Sequence, residues 1–247
     1  MRYLGIVLVL MTLTACNTAS GPQIIGHRGA MGYETENTVA SVLKALELGV
    51  DMIEIDVFRI KSGEIVVFHD ERVERLTNGG GRIEEYLMFD MKKLLLDGGH
   101  QIPVLQEVLK AIDHRVPLNI ELKGAGTAER VHYITNYYSE REGWQPEQFL
   151  ISSFNWDELR EYRALDPNAR IAVLTEEDPL EALEVARELG AEAINPAAAS
   201  VTEENVQAMH EAGFRVNVWT VNEPEEFQKL KAMGVDAVFT DFPDRMR

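Results

Sequence analysis

From Gln23 onward, short apolar runs alternate with stretches of helical periodicity, and that rhythm admits few folds. Parallel strands need long crossovers, and helices supply them, so a strand–helix alternation builds a parallel sheet. Runs with strand character fall at 24–27, 52–57, 65–68, 118–122, 149–152, 171–174, 193–195, 216–219 and 237–240. Between most of them the apolar positions recur every three or four residues, as in Val39, Val42, Leu43 and Leu46, or Ala182, Val185, Ala186 and Leu189. Gly49, Gly190, Gly213 and Gly234 stand where such helices should stop.

Nine runs exceed a closed eight-stranded barrel by one. Only Phe58 to Glu64 separates the second run from the third, with Lys61-Ser62-Gly63-Glu64 reading as a tight turn. That is too short for a parallel crossover, so these two must form an antiparallel hairpin. The expected fold is α/β: a (β/α)8 TIM barrel with an antiparallel hairpin arm after strand 2 and an excursion around 70–117. A helix is expected at 104–111. A chain of 247 residues suits one such domain, which runs to about 250 residues.

Two strands carry charge where a barrel strand should not. In Met52-Ile-Glu-Ile-Asp-Val57 the apolar side chains share one face, and Glu54 and Asp56 share the other. In Leu118-Asn-Ile-Glu-Leu-Lys123, Glu121 and Lys123 share a face in the same way. Alternation has period two, so the apolar faces pack on helices and the charged faces point into the barrel. Three carboxylates at one barrel mouth cannot all stay ionised unaided, because an unpaired buried charge costs several kcal/mol. An all-oxygen set suits one hard divalent cation, Mg²⁺ or Ca²⁺. The alternative is a buried ion-pair network of Glu54, Asp56 and Glu121 with Arg28 and Lys123. Charged groups at the C-terminal ends of barrel strands favour the active-site reading.

His27 arrives on the first strand, and His69 ends the hairpin arm. If the turn centres on Ser62-Gly63, His69 lies opposite Asp56. Two imidazoles beside an oxyanion make an acid–base pair, one taking a proton from the nucleophile and one giving a proton to the leaving group. His100, His114, His132 and His210 read as structural. Gly79-Gly80-Gly81 is no phosphate loop, because no Lys-Ser or Lys-Thr follows it.

The formal charge is −17, and removing residues 1–15, whose only charged side chain is Arg2, leaves 23 basic against 41 acidic groups, or −18. So acidic a surface excludes nucleic acid and anionic lipid as electrostatic partners. An anionic substrate then needs a locally positive site.

The N-terminus is read as residues 1–15 forming a signal peptide, 16–22 a linker, and 23–247 a single domain. Tyr3 to Leu13 is an apolar run of about 11 residues, too short to span about 30 Å of hydrocarbon and the right size for a signal-peptide core. Leu13-Thr14-Ala15-Cys16 resembles the bacterial lipobox, in which the cysteine is lipidated and becomes the mature N-terminus. Cys16 is the single cysteine, so no intramolecular disulfide forms. The resemblance implies a lipoprotein of the cell envelope, outside the cytoplasm. Asn17 in place of aspartate favours the outer membrane if the host has one.

Eight short motifs appear in order: Gly26-His27-Arg28-Gly29, Glu36-Asn37-Thr38, Glu54-Ile55-Asp56-Val57, His69-Asp70, Thr77-Asn78-Gly79, Ile102-Pro103-Val104-Leu105, Glu121-Leu122-Lys123 and Trp219-Thr220-Val221-Asn222. Together they resemble the glycerophosphodiester phosphodiesterase family across residues 24–243. Thr35 departs from the family's proline, which alters loop stiffness and removes no chemical group. The resemblance implies His27 and His69 as the acid–base pair and Glu54, Asp56 and Glu121 as ligands of one divalent cation. It implies Arg28 and Lys123 on phosphate oxygens, Asn37 as a positioning group, and Trp219 as an apolar wall for glycerol carbons. It also implies a route in which a glycerol hydroxyl attacks phosphorus and water opens the cyclic phosphate, with direct water attack as its rival.

Hydrolysis of a glycerophosphodiester to sn-glycerol 3-phosphate and an alcohol is therefore the expected activity. Alternatives are a lysophospholipase D or sphingomyelinase D-like activity on lipid head groups, a sugar isomerase or aldolase barrel, and a non-catalytic envelope lipoprotein. An isomerase or aldolase has no evident use for two histidines together with Arg28 and Lys123.

Overall fold

A computed structural model describes residues 21–247. The expected signal peptide, Cys16 and most of the linker lie outside the described residues. Nine strands form one sheet: β1 (Gln23–Gly26), β2 (Met52–Arg59), β3 (Ile65–Val67), β4 (Leu118–Leu122), β5 (Phe149–Ser153), β6 (Arg170–Thr175), β7 (Ala193–Pro196), β8 (Arg215–Val218) and β9 (Ala237–Thr240). The helices are α1 (Val39–Glu47), α2 (Met88–Met91), α3 (Leu105–Ile112), α4 (Ala128–Arg141), α5 (Trp156–Leu165), α6 (Ala182–Leu189), α7 (Glu203–Glu211) and α8 (Pro224–Met233).

Every strand but β3 pairs in parallel with two neighbours, and β1 joins both β2 and β9, which closes an eight-stranded (β/α)8 barrel. After β9 the usual final helix is reduced to the single turn Pro243–Met246. The outward side chains of the strands, such as Ile53, Ile55, Leu118, Ile120 and Val173, form the main core with the helices. The periodicity that marks α6 is realised in full, with Ala182, Val185, Ala186 and Leu189 buried. In α1 the buried positions are Ser41, Val42 and Ala45, while Leu43 faces solvent at 45% exposure. Inside the barrel, Ile25, Met52, Leu150, Ala172, Ala193, Ala237 and Phe239 make an apolar floor.

The hairpin forms, with a register one residue from the expected one. Val57 pairs with Val67 and Arg59 with Ile65, so the residue opposite Asp56 is Phe68, whose N–H donates to Asp56 O at 3.0 Å, and not His69. The cause is the turn. Gly63 N–H donates to Ile60 O at 2.8 Å and Ile60 N–H to Glu64 O at 3.0 Å, giving a three-residue loop in place of a two-residue one. Gly63 takes φ +97°, the left-handed position such a loop requires.

The segment expected to run irregularly over 70–117 divides. Residues from Leu105 onward belong to the barrel as α3. The excursion proper ends at Pro103-Val104, which lies along β3: Val67 N–H donates to Pro103 O, and Val66 bridges Val104. It encloses a second core of Phe58, Ile60, Val66, Phe68, Val73, Ile83, Met91, Leu94, Leu96 and Ile102.

One buried carboxylate is purely architectural. Glu158 on α5 accepts hydrogen bonds from the N–H groups of Gly126, Thr127 and Ala128 and from the Thr127 hydroxyl, capping α4 from a neighbouring helix. A helix N-terminus leaves these donors unsatisfied unless another group reaches them. Glu158→Ala is expected to cost about 2–4 kcal/mol by orphaning buried donors. Urea denaturation measures this, and Glu158→Gln, which keeps an acceptor, should lose less.

Candidate active site

Strand ends and the loops that leave them bring the sequence-predicted site residues of the barrel to one mouth. Glu54, Asp56, Glu121 and Lys123 come from β2 and β4, whose registers pair Asp56 with Glu121. One carboxylate oxygen from each of Glu54, Asp56 and Glu121 lies within 4.8 Å of the others, and all three residues are buried. His27, Arg28, Glu54, His69, Glu121, Lys123 and Trp219 line a common cavity, joined by Asn119, Ser152, Phe154, Leu174 and Phe239. A roomier cleft of about 410 Å³ lies elsewhere, between α4 and α5 around Tyr162. Among the described residues, only Glu54, Asp56 and Glu121 bring three metal-ligating side chains together.

The β1–α1 loop wraps the carboxylates. Along the β2 edge, β1 pairs only as far as Ile53, and β3 begins pairing at Val57. The span between them is closed by the loop. Gly29 N–H donates to Glu54 O at 3.1 Å, and Arg28 N–H donates to Glu54 Oε2 at 2.8 Å. Asn37 Oδ1 accepts the Asp56 N–H at 3.1 Å while its Nδ2 donates to Asp56 Oδ2 at 2.8 Å. Asn37 thus stands in for a missing strand and aims the carboxylate in the same stroke. Arg28 and Asn37 both sit at positive φ, 49° and 58°, a conformation of the kind that concentrates at ligand sites.

Electrostatics explain why cations crowd the mouth. Burial, then repulsion by Asp56 and Glu121, pushes the Glu54 carboxyl well above the ordinary range. Burial and Asp56 push Glu121 up to about 7. Asp56 runs the other way: burial opposes its charge, but Arg28, Lys123 and His69 hold it below the ordinary range. Arg28 Nε stands 3.3 Å from Asp56 Oδ2, and Lys123 Nζ donates to Glu121 Oε1 at 2.8 Å. Glu54 Oε1 is buried with no hydrogen-bond partner in the protein. Three converging carboxylates with one oxygen uncommitted fit a hard divalent cation better than they fit a closed ion-pair network.

Each histidine is backed by an aspartate. His27 Nδ1 meets Asp241 Oδ1 at 2.7 Å, and His69 Nδ1 meets Asp70 Oδ1 at 2.6 Å. A carboxylate at Nδ1 holds the proton there and turns Nε2 toward the cavity. Asn222 clamps Asp241, donating to Oδ2 at 2.7 Å and accepting its N–H at 2.9 Å. His69 reaches the cavity because the chain leaves strand geometry after Val67. Burial, with Arg28 and Lys123 nearby, lowers its pKa and favours the neutral ring. Trp219 is fixed by its Nε1–H on Asn195 O at 2.9 Å, and Phe154 meets it edge-on at 5.4 Å.

Asp241 escaped the sequence reading, although a charge directly after Val238-Phe239-Thr240 marks the C-terminal end of a barrel strand. Glu36, which accepts from Arg28 Nη1 at 2.8 Å, was visible within a motif but without a role.

A barrel mouth that gathers two carboxylate-backed imidazoles, two cations and a carboxylate trio defines a phosphodiesterase of the (β/α)8 class. The chain belongs to the glycerophosphoryl diester phosphodiesterase family, whose profile matches residues 27–245. It is 33% identical over 236 residues to a glycerophosphodiester phosphodiesterase of Caldanaerobacter subterraneus, covering 90% of this chain and 95% of that one. It is 32% identical over 241 residues to one from Bacillus altitudinis, covering 90% and 96%. Among solved structures, it resembles an Oleispira antarctica phosphodiesterase in complex with its product sn-glycerol-3-phosphate, with TM-score 0.84 and 30% identity over 92% of this chain and 95% of that one. Fold, site and family together make the protein a phosphodiesterase enzyme.

The aspartate behind His27 yields a separable expectation. Asp241→Asn should keep the fold but unsettle the Nδ1–H tautomer, lowering kcat by about 10- to 100-fold, the usual loss when such an orienting partner is removed. Steady-state kinetics beside a melting curve checks this, since Asn preserves the contact with Asn222.

Proposed function

We propose that the protein hydrolyses glycerophosphodiesters to sn-glycerol 3-phosphate and an alcohol, with one divalent cation, Mg²⁺ or Ca²⁺, held by Glu54, Asp56 and Glu121. The observation that carries this reading is the matched pair of histidines, each with Nδ1 on an aspartate, facing the cavity that holds the carboxylates. His27 and His69 form the acid–base pair. One Nε2 accepts the proton of the attacking hydroxyl, and the other ring, protonated, delivers one to the departing alcohol. Arg28 and Lys123 hold the non-bridging phosphate oxygens and stabilise charge that grows toward the transition state. A bound cation supplies Lewis-acid polarisation of the phosphoryl group. Asn37 keeps Asp56 aimed, and Trp219 with Phe154 offers an apolar wall for the glycerol carbons.

The test is release of glycerol 3-phosphate from glycerophosphocholine, with lysophosphatidylcholine as a comparison substrate. Chelator should abolish turnover, and Mg²⁺ or Ca²⁺ should restore it. His27→Ala and His69→Ala should each lower kcat by about 10²- to 10⁴-fold with little change in metal affinity or melting temperature. Glu54→Gln, Asp56→Asn and Glu121→Gln should weaken metal binding first. Histidine variants that melt early yet turn over normally per folded molecule would sink the acid–base assignment.

For localisation, the reading is a mature chain lipidated at Cys16 and held at the cell envelope outside the cytoplasm, at the outer membrane where there is one. It is supported by the apolar run Tyr3–Leu13 followed by Leu-Thr-Ala-Cys, and by a domain whose first strand starts at Gln23. No helix among the described residues is long and apolar enough to cross a membrane. Cys16→Ser should leave the protein unprocessed at that site and free of labelled palmitate. Unchanged processing and membrane sedimentation would refute the anchor.

A further inference from the structure

Arg75 lies on the one-turn helix Val73–Arg75 of the excursion, far in sequence from the strand ends that build the cavity. Its side chain is 47% exposed, and it does not line the cavity. Exposed arginines usually contribute little through their ion pairs. This one is different in geometry. Its Nε donates to Asp70 Oδ2 at 2.5 Å and its Nη2 to Asp70 Oδ1 at 3.0 Å. The same guanidinium donates from Nη1 to Glu36 Oε2 at 2.8 Å and from Nη2 to Glu36 Oε1 at 2.7 Å. Two carboxylates are therefore each gripped by two N–H groups.

Those carboxylates are the ones that orient the two sides of the site. Asp70 holds His69 Nδ1, and Glu36, itself buried, holds Arg28 Nη1 at 2.8 Å. We propose that Arg75 is a positioning residue for the phosphodiester reaction, orienting His69 through Asp70 and Arg28 through Glu36 at once. The inference rests on the roles proposed above for His69 and Arg28. The chain His69–Asp70–Arg75–Glu36–Arg28 links the hairpin arm to the β1–α1 loop. It sets the distance between the group that moves a proton and the group that holds the phosphate. Only a planar fork can bridge two carboxylates in this way, since an ammonium lacks the fixed in-plane donors.

The experiment measures kcat and KM for glycerophosphocholine, with melting temperatures, for Arg75→Ala, Arg75→Lys, Asp70→Asn and the Arg75→Ala/Asp70→Asn double variant. Arg75→Ala should lower kcat/KM by about 10- to 100-fold, split between kcat, through His69, and KM, through Arg28. Arg75→Lys should recover little of that loss, whereas any cation would serve a merely structural charge. The double variant should lose less than the product of the two single losses, because both act on one chain of contacts. Normal kcat and KM in folded Arg75→Ala, full activity in Arg75→Lys, or independent multiplication of the losses would each overturn the proposal. If Arg75→Ala does not fold, Arg75→Lys alone decides it. His69→Ala and Arg28→Ala are measured alongside. If those two lose turnover while the Arg75 variants keep it, this inference fails and the reading of the site stands. If His69→Ala and Arg28→Ala also keep turnover, the reading itself fails.

Discussion

Mutual repulsion among Glu54, Asp56 and Glu121 at the barrel mouth is the constraint to which the surrounding structure answers. Burial of three carboxylates within 4.8 Å of one another opposes folding unless charge and hydrogen bonds compensate it. Compensation comes from three directions. Arg28 reaches in from the β1–α1 loop, Lys123 follows Glu121 on β4, and Asn37 divides its amide between the Asp56 backbone and side chain. These contacts need Arg28 and Asn37 in left-handed backbone conformations, so the loop stores strain that the carboxylates hold in place. The same repulsion that would weaken an empty site favours a divalent cation.

A second tier of contacts fixes the two imidazoles that face the cavity. Asp241 and Asp70 stand behind the histidines, and Asn222 and Arg75 stand behind those aspartates. The arrangement is nearly symmetrical about the mouth, although one half joins the two ends of the chain and the other is local. His27 meets an aspartate 214 positions away, while His69 meets its immediate neighbour. Barrel closure between β1 and β9 is what brings the distant pair together.

The carboxylates and Lys123 were legible in the sequence because strand alternation is strict: a charge on the inner face of an otherwise apolar strand has nowhere else to point. The hairpin was legible for an equally rigid reason, since seven residues cannot make a parallel crossover. Its register was not, because Ser62-Gly63 allows both a two- and a three-residue loop, and only the backbone at Gly63 decides between them. Asp241 lies one residue past the expected run 237–240, and its partner His27 is 214 positions away. The grip of Arg75 on Glu36 spans 39 positions with no periodicity to announce it. Local rules reveal which side chains enter the barrel; the contacts that orient them depend on which loops meet above it.

The excursion has a small core of its own, centred on Phe58, Phe68, Ile83 and Met91, and separate from the one shared by strands and helices. Elements with private cores tend to behave as separate cooperative units, opening at lower free energy than the frame beneath them. Yet the segment carries Arg75, and the chain through it reaches both sides of the mouth. Opening of that unit would therefore slacken the β1–α1 loop as well, since Arg75 grips Glu36 and the Thr35 hydroxyl donates to Asp97 O at 2.8 Å.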